Sequence, residues 1–125
     1  MKFGSFLDKA NDVRSFLKNQ VGSQFFSLEY MNSKGLLSLY YPDFIVEDTS
    51  GDIRIVETKG EEDIDVLPKW NRLKLWCDDA TKTSNSGKQY KALFVKHSKF
   101  QQRQFQSFKE LVEFFKNEEP LLQVQ

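Results

Sequence analysis

The stretch from Tyr40 to Gly60, YYPDFIVEDTSGDIRIVETKG, restricts the fold more than any other part of the chain. Phe44, Ile45 and Val46 form one apolar run, and Ile53, Ile55 and Val56 form a second. Between them Asp48, Thr49, Ser50, Gly51 and Asp52 have turn composition, with Gly51 able to take a positive φ. The reading is a β-hairpin folded about Ser50. Three charged residues stand where buried strands carry none: Asp43 at the start of the first strand, Glu57 and Lys59 at the end of the second. Pairing in the hairpin sets Asp43 opposite Glu57. Side chains alternate along a strand, so Glu57 and Lys59 share a face, and Asp43 is expected on it too. Two carboxylates and an ammonium then converge at one end of the sheet.

A length of 125 residues fits one domain with one core, taken as 1–125. The chain is 39% hydrophobic and 29% charged, a globular rather than a disordered balance. Its 18 basic and 18 acidic residues cancel. A domain that grips nucleic acid unaided is usually basic, so such contact here needs local patches, a metal ion or a tethered partner. The single cysteine, Cys77, excludes an internal disulfide and any cysteine-rich zinc site. No signal peptide and no bilayer-spanning apolar run is visible, so no membrane partner is expected and a reducing cytoplasm is the expected compartment.

Around the hairpin the periodicity predicts further elements. Phe3, Phe6, Leu7, Ala10, Val13, Phe16 and Leu17 recur at helical spacing, which predicts a helix over about Lys2 to Lys18, ended by Gly22. A helix that begins with the first residue suits a piece of a longer chain. Phe25 to Tyr30 reads as a strand, Asn32 to Gly35 as a turn, and Leu36 to Tyr41 as a strand leading into the hairpin. Pro42 lacks a backbone donor and keeps Tyr41 extended, so it marks a strand end from which Asp43 can point into a cleft. Glu61, Glu62, Asp63 and Asp65 read as a solvated loop. A second helix is predicted over Val66 to Lys82, burying Trp70, Leu73, Trp76, Cys77 and Ala80. Tyr90 to Lys96 reads as a strand buried on both faces. A last helix is predicted over Gln101 to Asn117, with Phe105, Phe108, Leu111, Val112 and Phe115 inward. The order is α-β-β-β-α-β-α, an α/β (α+β) arrangement.

Two carboxylates side by side are costly to bury unless a cation joins them. Asp43 and Glu57 suit a hard divalent ion. Mg²⁺ is held by one or two carboxylates and several waters, leaving room for a phosphate, and it lowers the pKa of water it binds. Lys59 lies on the same face, where it can orient or deprotonate the attacking water or neutralise charge on the phosphate. The carbonyl of Thr58 is a further candidate ligand. The bland alternative is a surface salt bridge between Lys59 and one acid.

With these residues in place, the chain resembles the PD-(D/E)xK nuclease superfamily: Pro42-Asp43 and Glu57-Thr58-Lys59 on a hairpin between helices. More narrowly, YYPDFIV, IVETKG and Leu75-Trp76-Cys77 with Ala80 resemble the nuclease domain that closes the restriction subunit of type III restriction enzymes. Phe6-Leu7-Asp8 followed by Asp12-Val13 fits the helix such domains place first, where many members carry a further acid. The resemblance implies a restriction-endonuclease-like mixed central sheet flanked by helices, dependence on Mg²⁺ with Mn²⁺ substituting, and hydrolysis of phosphodiesters in double-stranded DNA. By position it makes Asp43 and Glu57 metal ligands and Lys59 the catalytic lysine. It also implies an ATP-dependent motor and a methyltransferase subunit as partners. This sequence has no Gly-x-x-x-x-Gly-Lys-[Ser/Thr] loop, hence no ATP site of that kind.

Lys69 and Arg72, on one face of the second helix, are candidate DNA-phosphate contacts; Lys74 points elsewhere. His97, the only histidine, lacks a metal-binding set around it and reads as a surface residue. The two Trp read as core. The alternative to an endonuclease is an inactive nuclease-fold module that docks DNA or protein within a larger assembly.

Overall fold

The computed structural model describes residues 2–19, 26–58 and 64–120. Its elements are α1 (Phe3–Lys9), β1 (Val13–Lys18), β2 (Leu28–Met31), β3 (Leu37–Tyr40), β4 (Phe44–Asp48), β5 (Ile53–Glu57), α2 (Val66–Thr83), β6 (Tyr90–Phe94), α3 (His97–Gln101) and α4 (Phe108–Phe115). The fold is mixed α+β. A four-stranded sheet runs in the order β1-β4-β5-β6, and β2 and β3 form a separate hairpin. β1, β4 and β5 pair antiparallel, while β6 joins β5 in parallel through the crossover helix α2.

The hairpin β4–β5 follows its sequence. Phe44 pairs with Val56 and Glu47 with Ile53. Gly51 turns at a φ of 93°. The Asp48 carboxylate accepts from Ser50 N–H, Ser50 O–H and Asp52 N–H, which pins the loop. The helix expected over Val66 to Lys82 is α2, with Val66, Trp70, Leu73 and Cys77 buried. Leu93, Phe94 and Val95 are buried, as expected for a strand covered on both sides.

Two expectations are corrected. The residues from about Lys2 to Lys18 are not one helix: α1 stops at Lys9 and β1 begins at Val13. The cause is a β-bulge. Val13 pairs with Asp48 but Ser15 with Glu47, so Arg14 is an extra residue in β1. A bulge inverts the alternation of side chains. Val13 and Phe16, three apart, therefore pack on the same core cluster and imitate helical spacing. The last helix also divides. α3 ends at Gln101, and α4 starts only after Ser107, whose hydroxyl accepts from Glu110 N–H at 3.0 Å. Ser107-x-x-Glu110 is a helix-start signature that overrides the longer apolar period. The order is therefore α-β-β-β-β-β-α-β-α-α. Gly22 and the run Glu61, Glu62, Asp63 lie outside the described residues.

The sheet has a core on each face. On one side α1, α3 and α4 cover Phe44, Val46, Val56, Leu93 and Val95. On the other, α2 and the β2–β3 hairpin cover Ile55 and Phe94 with Leu28, Tyr30, Tyr40, Trp70, Leu73 and Cys77. Arg72 ties α2 to β2 by donating to Glu29 C=O at 2.9 Å, and Asp65 receives Ser33 N–H at 2.8 Å. Asp12 does the same for the first face. Its carboxylate accepts from Phe108 N–H and Lys109 N–H, both at 2.8 Å, at the start of α4. Among the described residues no helix is long and apolar enough to cross a membrane.

Candidate functional site

The hairpin pairing ends at Phe44 and Val56, so Asp43 and Glu57 are the next residues at the same end of the sheet. Asp43 is fixed from two directions. Behind it, Asn19 is buried and donates its backbone N–H to Asp43 C=O at 2.8 Å. The Asn19 amide donates to Phe26 C=O at 2.8 Å and to Pro42 C=O at 2.9 Å. Pro42 is itself buried. In front, one carboxylate oxygen of Asp43 accepts from Thr58 N–H and from Thr58 O–H, each at 2.8 Å. The corner that the sequence marks with Pro42 is thus a rigid mount, and the Asp43 carboxyl has a defined orientation.

Glu57 is buried, at 8% exposure, on the α2 side of the sheet. Tyr40, at 3% exposure, donates its hydroxyl to Glu57 Oε2 at 2.6 Å. Burial raises the Tyr40 pKa, and the charges of Glu57 and then Asp43 raise it further. The phenol is therefore a fixed donor, and both acids lie within electrostatic reach of it. The ammonium of Lys69 sits 5.8 Å from the ring centres of both Tyr30 and Tyr40.

A cleft of about 880 Å³ opens beside Asp43. Asp43 and Thr58 line it, with Asp8 and Ser5 of α1, Lys18 of β1 and His97 of α3. Glu57 is not among the residues that line it; Asp43 bonds to Thr58 and Glu57 to Tyr40. Asp8 faces the cleft, whereas Asp12, the other acid near the chain start, is committed to α4. His97 is exposed on the cleft edge. Lys69 and Arg72 part company: Lys69 stands over Tyr40, and Arg72 is bound to the backbone of β2. Lys74 pairs with Glu119 at 2.9 Å. Lys59 lies outside the described residues.

Sequence reasoning missed Asn19, Tyr40 and the Thr58 side chain. Each acts across a sequence gap or a strand pairing that no local pattern signals; Tyr40 and Glu57 are 17 apart. Among the described residues no group of three or more His, Cys, Asp and Glu gathers to hold a metal. The donors at this end of the hairpin are carboxylates, a hydroxyl and backbone carbonyls, all hard oxygens. Oxygen donors are the type Mg²⁺ takes, one or two carboxylates completed by waters.

No family model matches the chain, and no curated protein or solved structure matches it either.

Proposed function

We propose that the chain is a Mg²⁺-dependent DNA endonuclease domain of restriction-endonuclease-like architecture, the nuclease part of a type III-like restriction system. The observation that carries this reading is the rigid presentation of Asp43. An aspartate on a proline corner, gripped by Asn19 and Thr58 and facing a cleft, has the preorganisation that catalytic carboxylates need. The hairpin also brings Glu57 to the same strand end.

In this reading Asp43 and Glu57 hold the cation, with the Thr58 carbonyl as a further ligand. A bound divalent cation supplies Lewis-acid stabilisation of the phosphate charge and a more acidic water. The chain's own residues do the rest. Thr58 fixes Asp43, and Tyr40 fixes Glu57. Lys59 orients the attacking water, a role carried over from the resemblance. Lys69 offers positive charge near the strand end for a DNA phosphate. Hydrolysis forms one P–O bond to the water oxygen and breaks one to a sugar oxygen, which takes up the proton the water loses. Type III partners, a motor and a methyltransferase, would deliver double-stranded DNA to a domain whose own charge is zero.

A supercoiled-plasmid nicking assay tests this. With Mg²⁺ or Mn²⁺ the wild type nicks, and Asp43→Ala and Lys59→Ala do not. Equal nicking by all three rules the proposal out.

One observation favours the second reading, an inactive nuclease-fold module. The outer face of the β2–β3 hairpin exposes Met31, Leu37 and Leu39, at 54%, 68% and 54%. A contiguous apolar face of this kind suits docking to protein. Calorimetry decides: no uptake of Mg²⁺ or Mn²⁺ by the folded protein favours the module.

A further inference from the structure

The cleft beside Asp43 is not built for a sugar-phosphate backbone alone. Its back wall is aromatic: Phe3, Phe44 and Phe100 line it and are buried at 7%, 7% and 5% exposure. They are locked by edge contacts, Phe3 to Phe44 at 5.1 Å and Phe3 to Phe100 at 5.5 Å. Phe16 of β1 also lines the cleft but is only half-buried. Lys2 and Lys18, both exposed, supply its cations. A phosphodiester needs donors and charge, which Lys2, Lys18, Ser5 and Thr58 can provide. It has no use for a phenylalanine wall. A nucleobase does, since any base stacks on an aromatic face whatever its sequence.

The volume agrees. About 880 Å³ falls within the usual range for small-molecule pockets and exceeds what a phosphate needs. The charge agrees as well. Duplex binding is driven mainly by neutralising phosphates, and this chain has no net positive charge to spend. Stacking binds a single strand with less help from charge. Inside a paired, stacked duplex a base cannot reach such a wall; an unpaired or flipped one can.

We infer that this cleft takes an unstacked nucleotide next to the phosphate presented to Asp43, its base against Phe16 and its backbone between Lys2 and Lys18. The preferred substrate is then DNA with an unpaired nucleotide at the cut, a single strand or flap, rather than uninterrupted duplex. The inference rests on the nuclease reading for the role of Asp43, and on the cleft alone for the nucleotide.

Binding is measured by fluorescence anisotropy in EDTA, with the full chain, a short labelled oligothymidylate and a blunt duplex of equal length. The single strand binds at least about tenfold more tightly. Phe16→Leu, which keeps apolar volume against Phe44 but removes the ring, loses about tenfold in single-strand affinity. It leaves duplex binding unchanged. Phe16→Tyr, which keeps the stacking face, retains the preference. Equal affinity for both DNAs, or equal losses on both in Phe16→Leu, overturns the inference. Cleavage with Mn²⁺ is read separately. A strand preference without any cleavage retires the nuclease reading and keeps the nucleotide cleft. Cleavage with no strand preference retires the cleft and keeps the nuclease.

Discussion

Tyr40 donates its hydroxyl to Glu57 Oε2 across 2.6 Å, and both side chains are buried. A buried acid with no donor beside it is costly. Tyr40→Phe keeps the ring and removes only the donor. The expected loss is about 1.5–3 kcal/mol, the range for hydrogen bonds to charged groups, read as a lower urea midpoint at unchanged slope.

The same residue sets an alkaline limit. The folded-state pKa of Tyr40 lies above its unfolded value, chiefly through burial and then through Glu57. Its contribution is therefore complete below the unfolded pKa of about 10 and declines above it, where the unfolded chain releases a proton the folded one keeps. Above that pH the wild-type advantage over Tyr40→Phe should shrink by about 1.4 kcal/mol per pH unit. Parallel urea titrations of the two proteins measure the difference. A constant gap across that range contradicts it.

Thr58→Val removes the hydroxyl that donates to Asp43 and leaves the backbone donor in place. Because Thr58 is half-buried, the stability cost should be about 1 kcal/mol. Under the proposed function, calorimetric Mn²⁺ affinity should also fall several-fold, since outer-shell partners commonly contribute tenfold or more. A stability loss with unchanged Mn²⁺ affinity would confine Thr58 to a structural role.

Cys77 is 2% exposed, and its thiol is pushed up to about 12 by burial first and by Asp78 second, with Arg54 opposing. Only the thiolate reacts. At pH 8 native protein should label with a disulfide reagent roughly a thousandfold more slowly than protein in urea. Comparable rates would mean that the α2 core opens freely.

Asp12→Ala should cost about 1–2 kcal/mol, because Phe108 N–H and Lys109 N–H lose their acceptors at the first turn of α4. Asp12→Asn, which keeps one acceptor, should cost less. Thermal unfolding of the three proteins orders them; a neutral Asp12→Ala would show that water replaces the carboxylate without loss.

What the sequence made legible was local. Asp48 to Asp52 contain their own turn chemistry, and a short apolar run stands on either side, so β4–β5 could be read directly. Trp70, Leu73 and Cys77 repeat cleanly enough to define α2. β1 was hidden because the bulge at Arg14 gives a strand the spacing of a helix. The candidate site divided in the same way. Asp43 and Glu57 stood out as charges in apolar runs. Asn19 and Tyr40, which hold them, are an ordinary amide and an ordinary aromatic until the chain folds. Asp12 could be noticed as an acid near the chain start, but its partners are 96 and 97 residues away.

That last distance bears on biogenesis. A ribosome releases Asp12 well before Phe108 and Lys109, its partners 96 and 97 residues on. Until then the nascent chain carries a carboxylate with nowhere to dock, and the face under α4 stays open. Closure of this half of the molecule thus waits for α4, and a message truncated ahead of Ser107 would yield a product for cellular proteases to clear.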